Sequence, residues 1–377
     1  MDQAQPISRT FSLYLDLFRI VAALIVVGAH ATMPAISGNR YVFPFGEDAV
    51  QAFFVLSGFV IASVVDRREA SFRAFAVARL SRLWSVLIPA LLIGPLLVHL
   101  AFHFWHEGFL VQYQANIFSS EVLRSIATAL FSNEIWFISL TPEFNIPLWS
   151  IGFEAWYYAI FAIYTFGSKR FRWIGIGFAA AIAGPQILLL MPAWILGAFL
   201  YHYRNRISLT KPGALAAFVG GPALVLVGHA MHVAPFLQGL YLPLLGRNFV
   251  FGGIFFARDF IWQNIVGVAL AIHLAGGIVL LKGERQVRTR WASVIRWAAG
   301  LSYSVYLLHF PAELVIVSKL HRWPDGPLKV AAVMVGAVAI SALLGMFLEP
   351  LKTPLRKWMM RVTDRSIKEI RITAPMA

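Results

Sequence analysis

The sequence is dominated by apolar runs whose length is close to the thickness of a lipid bilayer. An α-helix rises about 1.5 Å per residue, so a hydrocarbon layer of about 30 Å needs roughly 20 apolar residues. About ten such runs recur, some of them shorter, at 12–33, 48–65, 84–104, 147–167, 171–183, 186–201, 213–230, 261–281, 297–319 and 328–349. Only 13% of the 377 residues are charged and 59% are hydrophobic, whereas soluble domains have about one quarter charged residues. The sequence therefore predicts an all-α, polytopic integral membrane protein with about ten transmembrane helices.

Two regions leave the number of spans open. The runs 171–183 and 186–201 are short and are separated by Gly184-Pro185, so they are either two spans or one kinked helix. The segment 235–257 is also apolar, but prolines and glycines interrupt it, and we interpret it as a loop or a re-entrant segment.

Basic residues set the orientation. The net charge of +14 is spread over short clusters between the apolar runs, at 67–82, 169–172, 204–211, 282–296 and from 352 onward. Ten spans with an inside N-terminus place every one of these clusters on the cytoplasmic side, as the positive-inside rule requires. Both termini are then cytoplasmic, and the connection 105–146 lies outside. Because the charge follows this pattern, we do not expect nucleic acid to be a partner.

The first span resembles a signal peptide in one respect, since Ala29-His30-Ala31 is a small-x-small site. Asp16 and Arg19 interrupt its apolar part, however, so we expect the helix to be retained. Cysteine is absent, which excludes disulfides, thiolate catalysis and metal sites with cysteine ligands. We divide the chain into a transmembrane domain at 1–351 and a basic cytoplasmic tail at 352–377.

Arg19 and His30 in the first span are the most informative polar residues. They are eleven residues apart, which is within about 20° of a whole number of helical turns and about 16 Å along the helix axis. Ionisable groups inside a span usually face the bundle interior and mark function. Asp16, three residues before Arg19, is a possible ion-pair partner. The alternative is a structural pair of Asp16 with Arg19 near the cytoplasmic end, with His30 at the outer rim.

Five stretches of the sequence form an ordered set of motifs. The first is LDLFR at 15–19, followed by VVGAH at 26–30. The other four are AVQAFFVLSGF at 49–59, the basic stretch 75–89, PLWSIGFEAWYY at 147–158 and LSYSVYLLHFP at 301–311. In this order they resemble the motifs of the acyltransferase-3 family of membrane acyltransferases, whose first motif is LDxLR with an Arg-x10-His signature. The departures are Gln51 in place of an acidic residue, Ala78 in place of an arginine, Ala155 in place of a second glutamate, and a Glu-Pro pair at 349–350 that is one residue shorter than the family's Glu-x-Pro.

The resemblance implies transfer of an acyl group, commonly acetyl, from acyl-CoA to a hydroxyl of a saccharide. A hydroxyl becomes a good nucleophile when a base takes its proton, and neutral imidazole suits this role near pH 7. His30 is the candidate base. Glu154 is a second catalytic candidate that could orient His30 or bind acceptor hydroxyls, and a purely structural hydrogen bond is its alternative role. Arg19 could hold the phosphate or thioester region of the donor. Arg79 and Arg82 could bind the phosphates of CoA, although anchoring to anionic lipid is the alternative.

Further residues have weaker assignments. Trp149 and Tyr157 could stack on a sugar, or belong to an interfacial aromatic belt. Ser57, followed by Gly58, favours close helix contact, and Tyr303 and His309 are expected to give structural support. His99, His103 and His106 have the spacing of a metal-binding ladder, but we predict no metal.

We therefore expect an enzyme of a bacterial-type inner membrane whose co-substrate is acyl-CoA and which has no permanently bound cofactor. Its other partners are the bilayer and a saccharide acceptor, free or lipid-linked. The alternative is a transporter or flippase of lipid-linked saccharide or acyl groups that carries out no transfer itself. The sequence leaves open the acceptor, the acyl group, a covalent acyl-enzyme, the side of transfer and the oligomeric state.

Overall fold

We describe a computed structural model of the chain over residues 7–37, 42–69, 71–104, 120–283 and 289–373. Within these ranges the regular structure is helical and contains no β-strand. The principal helices are α1 (Arg9–Ala31), α2 (Gly46–Arg68), α3 (Phe72–Phe104), α4 (Glu121–Ala129), α5 (Trp149–Phe166), α6 (Arg172–Ala183), α7 (Pro185–Tyr203), α8 (Lys211–Ala230), α9 (Val233–Leu245), α10 (Phe260–Leu280), α11 (Thr289–Lys319), α12 (Pro327–Leu348) and α13 (Lys352–Thr373).

Nine helices in the described ranges are long and apolar enough to cross a membrane, namely α1, α2, α3, α5, α7, α8, α10, α11 and α12 with its extension into α13. The all-α polytopic class is confirmed. The difference from the predicted ten arises at α6, because its 12 residues span only about 18 Å, less than the hydrocarbon layer.

The first region left open in the sequence, 171–201, forms two helices, α6 and α7. Gly184 joins them with φ +81°, a backbone conformation that favours glycine, and Pro185 then begins α7. The helix α6 runs back along α5, because Ala183 O at its end accepts a hydrogen bond from Trp136 N, which precedes α5, at 3.1 Å. The short helix therefore returns the chain to the end of the bundle where α5 begins, and the alternation of the predicted ten-span order is preserved.

The segment 235–257 does not cross the bundle, which agrees with its interpretation as a loop or re-entrant segment. The end of α8 lies beside the start of α10, where the rings of His229 and Trp262 have centroids 5.4 Å apart. The helix α9, which lies between α8 and α10 in the sequence, is at this same end of the bundle. Its Gln238 donates a hydrogen bond to Oδ1 of Asp259, the residue before α10, at 3.2 Å.

The helices α2 and α11 lie at the centre of the bundle. The helix α2 packs on α1, α7 and α10, and α11 packs on α1, α3 and α12. Glycines allow α2 and α7 to approach closely: a Cβ atom added to Gly58 would lie 1.9 Å from Trp194 O, and one added to Gly197 would lie 1.9 Å from Val55 O. Close approach through small residues is typical of helix association in membranes, where lipid competes for apolar contacts.

The predicted basic tail is helical in its described part and is attached to the bundle. At the start of α3, the Arg73 guanidinium pairs with Asp364 Oδ1 at 2.6 Å, and it donates to Met360 O at 2.6 Å and to Thr363 Oγ1 at 2.8 Å. These contacts hold α13 against α3.

Candidate functional site

A cavity of about 1000 Å³ lies between α1, α2, α3, α5, α11 and α13. It extends from exposed basic residues of α13 toward the middle of the bundle. Its inner end is formed by Val50, Phe53, Ser150 and Tyr306. The rings of Phe53 and Tyr306 have centroids 5.4 Å apart there.

A hydrogen-bonded carboxylate occupies one wall of the cavity. Glu154 Oε1 accepts from Ser57 Oγ at 2.7 Å and from the Tyr158 hydroxyl. Ser57 in turn accepts from Trp194 Nε1 at 3.2 Å. Glu154, Ser57 and Tyr158 all line the cavity, so a polar ligand can reach this group. The structure brings Glu154 to Ser57 and Tyr158 and not to His30, which was one of its predicted partners.

Arg19 lines the same cavity and is half-buried. The predicted ion pair with Asp16 is wrong: among the described residues neither side chain has a salt bridge. A spacing of three residues turns the two side chains about 60° apart around the helix. Arg19 faces the cavity, whereas Asp16 does not line it. The Arg19 guanidinium is therefore available to a ligand.

Arg79 and Arg82 line the cavity nearer its basic end, and each is paired with a carboxylate. Arg79 Nη2 lies 2.6 Å from Glu69 Oε1. Arg82 pairs with Glu349 Oε2 and lies over the Tyr303 ring, 4.5 Å from its centroid.

Glu349 contacts three groups. Besides its pair with Arg82, it accepts a hydrogen bond from Ser304 Oγ at 3.0 Å and lies 3.7 Å from Lys352 Nζ. The Tyr303 hydroxyl donates to Leu83 O at 3.1 Å. These contacts fix the position of Arg82.

The helix α13 adds cations at the mouth of the cavity, where Lys352, Arg356, Lys357 and Arg361 line it. All four are exposed. In the described part of the chain, Arg356, Lys357 and Arg361 have no ion-pair partner, whereas Lys352 shares Glu349 with Arg82.

His30 lies beyond the inner end of the cavity, beside His309. His309 Nε2 is 3.2 Å from His30 Nδ1, and the ring centroids are 5.1 Å apart. His309 Nδ1 donates to Tyr306 O at 2.8 Å, and His30 Nδ1 donates to Val26 O at 2.9 Å. These bonds select one tautomer for each neutral ring, with His309 Nε2 as an acceptor. The lone pair of His30 is then on Nε2, which has no hydrogen bond to any described residue.

Tyr306 connects the histidine pair to the cavity. It lines the inner end, its hydroxyl contacts Ser150 Oγ at 2.6 Å, and its ring centroid is 6.1 Å from that of His309. The helix α1 is continuous from Arg19 to His30, so the predicted separation of about 16 Å along the axis is retained. Arg19 is thus within the cavity and His30 is behind its inner wall.

The two candidate sugar-stacking residues are in the core and not at the cavity. Trp149 is stacked on Phe256 with ring centroids 4.7 Å apart. Tyr157 is 0% exposed and donates to Ile187 O at 3.0 Å. Of the histidine ladder, His99 and His103 lie near the end of α3, and His106 lies outside the described residues.

Three contributions to the site were missed by sequence reasoning. Glu349 was noted only as part of a Glu-Pro pair. Tyr158, like Tyr157, was expected either to stack on a sugar or to belong to an interfacial aromatic belt, although its spacing of four residues from Glu154 is a helical-contact signal. The α13 cations were assigned to the basic cytoplasmic tail, because hydropathy does not detect a polar helix that packs against the bundle along one face.

Together, the fold and the cavity define a polytopic helical membrane protein with a cavity that is cationic at one end. A family model described as an acyltransferase domain matches residues 12–346, and the chain belongs to this acyltransferase-3 family. It is similar to an O-acetyl transferase of Shigella phage Sf6, with 26% identity over 326 residues that cover 81% of this chain and 86% of that protein. No solved structure matches the chain. The protein is therefore a membrane acyltransferase, and the transporter alternative is disfavoured.

Proposed function

We propose that the protein is an O-acetyltransferase of a bacterial-type inner membrane that moves an acetyl group from cytoplasmic acyl-CoA to a hydroxyl of a saccharide. The observation that carries the proposal is the cavity, which leads from the cations of α13 past Arg19 and Glu154 to Tyr306, beside the His30–His309 pair. The name of the phage relative supports the choice of acetyl and of an oxygen acceptor.

The cavity matches the chemistry of an acyl-CoA donor. CoA has phosphates at one end, a thioester at the other, and a long pantetheine arm between them. Cations at the mouth suit the phosphates, and Arg79 and Arg82 lie further along the path. Arg19 is the deepest of these cations and can donate to the carbonyl groups of the arm or the thioester. Acyl-CoA is consumed in each turnover, so it is a co-substrate and not a resident cofactor.

The transfer requires a base for the acceptor hydroxyl, and we propose His30 Nε2. As the hydroxyl proton moves to Nε2, the hydroxyl oxygen bonds to the thioester carbonyl carbon. The carbon–sulfur bond then breaks, and the leaving CoA thiolate takes up the proton. His309 holds the His30 ring through the contact at Nδ1. Because Phe53 and Tyr306 form the inner end of the cavity, the donor reaches His30 only when these rings move apart.

The acceptor approaches from the opposite end of the bundle in this proposal, where α1 ends one residue after His30. A saccharide, free or lipid-linked, supplies the hydroxyl. Glu154 faces the donor cavity, and we propose that it binds polar groups of the donor. Trp149 and Tyr157 are buried in the core, so we propose no sugar contact for them.

His30→Ala tests the proposal in purified protein in lipid nanodiscs. We expect the variant to bind acetyl-CoA like the wild type, by calorimetry, but to lose transfer, because general-base catalysis contributes about 10²- to 10⁴-fold. The matched control is His202→Ala, which alters an exposed histidine at the end of α7.

Normal acetyl transfer by His30→Ala would refute His30 as the base. Absence of acetyl-CoA binding by the wild-type protein would refute the donor. NMR of the cell's glycans identifies the acceptor class. Acetyl signals that are present in the parent strain should be absent from a strain in which the gene for this protein is deleted.

A further inference from the structure

The cations around the cavity fall into two groups. Arg79 and Arg82 are each compensated by a carboxylate, Glu69 and Glu349 respectively. Arg356, Lys357 and Arg361 on α13 have no such partner among the described residues, yet they line the same cavity. Arg19, deeper in the cavity, also has no salt bridge to a described residue, so three of these four unpaired cations lie at the outermost part of the cavity.

The α13 cations are presented on a helix that is fixed to the bundle. The salt bridge of Arg73 with Asp364 at 2.6 Å and its bond to Met360 O at 2.6 Å anchor the next turn of α13 to α3. Anchoring lowers the conformational cost of binding, because the cations are already held at the cavity.

These residues also lie outside the part of the chain that matches the family, which ends at residue 346. None of the three residues belongs to the five motifs.

We propose that Arg356, Lys357 and Arg361 bind the 3′-phosphate of the CoA donor, while the diphosphate lies deeper, beside Arg79 and Arg82. This inference rests on the proposed use of acyl-CoA. The 3′-phosphate is a phosphate monoester, which carries about −1.5 to −2 charges near pH 7. It is at the end of CoA opposite the thioester, so it remains at the mouth when the thioester is at the inner end. Arginine binds phosphate oxygens through two parallel N–H groups.

Donor discrimination tests this assignment without any mutation. Acetyl-CoA and acetyl-3′-dephospho-CoA are compared with the wild-type protein in nanodiscs of phosphatidylcholine. We expect KM for the dephospho donor to be higher by about tenfold or more, which corresponds to the loss of charge-assisted hydrogen bonds. Equal KM values for the two donors would overturn the assignment while leaving the proposed function intact. Absence of binding of both donors to the wild-type protein, by calorimetry, would overturn both.

The triple variant R356Q/K357Q/R361Q then tests whether the α13 cations are responsible for the difference in KM between the two donors. We expect its KM for acetyl-CoA to rise to the value for the dephospho donor, with kcat unchanged. The matched control K169Q/R170Q/R206Q removes two arginines and one lysine that are exposed and do not line the cavity, and it should discriminate like the wild type. Discrimination retained by the α13 variant would overturn the proposal. Thermal unfolding of each variant checks that it is folded.

Lipid phosphate is the other source of the same chemistry, and a second arm distinguishes it. The measurements are repeated in nanodiscs that contain anionic phosphatidylglycerol. Discrimination between the donors in both lipids supports the CoA assignment. If the α13 substitutions instead change activity only in anionic lipid, and equally for both donors, the cations bind headgroups and the proposal is overturned.

Discussion

At the scale of single residues, the proposed chemistry depends on which nitrogen of His30 is free. Hydrogen bonds occupy Nδ1, through Val26 O and His309 Nε2, and leave the lone pair on Nε2. His309 is fixed in its own tautomer by backbone carbonyls of its helix. His309 is thus a positioning residue in the proposed mechanism, since it contacts the base and does not line the cavity.

His309→Leu should lower kcat and leave KM for acetyl-CoA unchanged. The substitution removes the acceptor at His30 Nδ1, and one such hydrogen bond contributes roughly 0.5–1.5 kcal/mol, or up to about tenfold in rate. His309→Gln restores a side-chain acceptor and should recover part of kcat. Steady-state kinetics of both variants check this. Equal loss in the two variants, or a parallel rise in KM, would indicate a general structural role.

Residue positions within one helix could be predicted from the sequence, and contacts between helices could not. The spacing of Arg19 and His30 gave their separation correctly because helix geometry is local. The bond between Ser57 and Glu154 joins α2 to α5, with 97 residues between the partners. Its existence depends on how those helices pack, which a periodic pattern does not contain.

At the scale of elements, the position of the polar cluster depends on how closely α2 and α7 pack. Ser57 and Gly58 are adjacent on α2, and both contact Trp194 of α7. Ser57 Oγ accepts a hydrogen bond from the Trp194 indole Nε1 at 3.2 Å, and the backbone of Gly58 lies close to the backbone of Trp194. Gly58 therefore allows α2 and α7 to lie close enough for the hydrogen bond between Ser57 and Trp194 to form.

Gly58→Ala should destabilise the protein and reduce activity. The added Cβ would lie 1.9 Å from Trp194 O, so the helices must separate, and overpacking of this kind costs typically about 1–3 kcal/mol. The control is Gly220→Ala in α8, where a Cβ meets nothing within 4 Å and a slight stabilisation is expected. Thermal inactivation in detergent compares them. Similar behaviour of the two variants would contradict a close α2–α7 contact.

Most apolar helices could be predicted within a few residues, because length and hydropathy are what the bilayer selects. The helices α3 and α11 begin earlier than the predicted runs, at Phe72 and Thr289, because basic residues interrupt the apolar pattern of their first turns. Two elements could not be predicted. The helix α6 carries an apolar sequence but is limited to 12 residues by the turns at 167–171 and Gly184. The helix α13 is polar, and only its contacts with Arg73 of α3 reveal that it belongs to the cavity.

At the scale of the whole molecule, the proposal requires one orientation. The cavity mouth, the α13 cations and the described parts of the predicted cytoplasmic clusters lie at the same end of the bundle. The positive-inside rule predicts that this end faces the cytoplasm, where acyl-CoA is made. His30 is toward the other end, about 16 Å from Arg19 along α1. The donor and acceptor then enter from opposite sides, and the barrier at Phe53 and Tyr306 separates the two compartments.

Single-cysteine variants test this orientation without background, since the chain has no cysteine. Asn205→Cys places an exposed thiol at the basic end, after α7, and Arg322→Cys places one between α11 and α12 at the opposite end. In intact spheroplasts, a membrane-impermeant maleimide should label Arg322→Cys only, and after permeabilisation it should label both. Labelling of Asn205→Cys in intact spheroplasts would place the cavity mouth outside, away from acyl-CoA. The donor proposal would then fail even if the purified protein bound acetyl-CoA, because the cell would not supply the donor at that face.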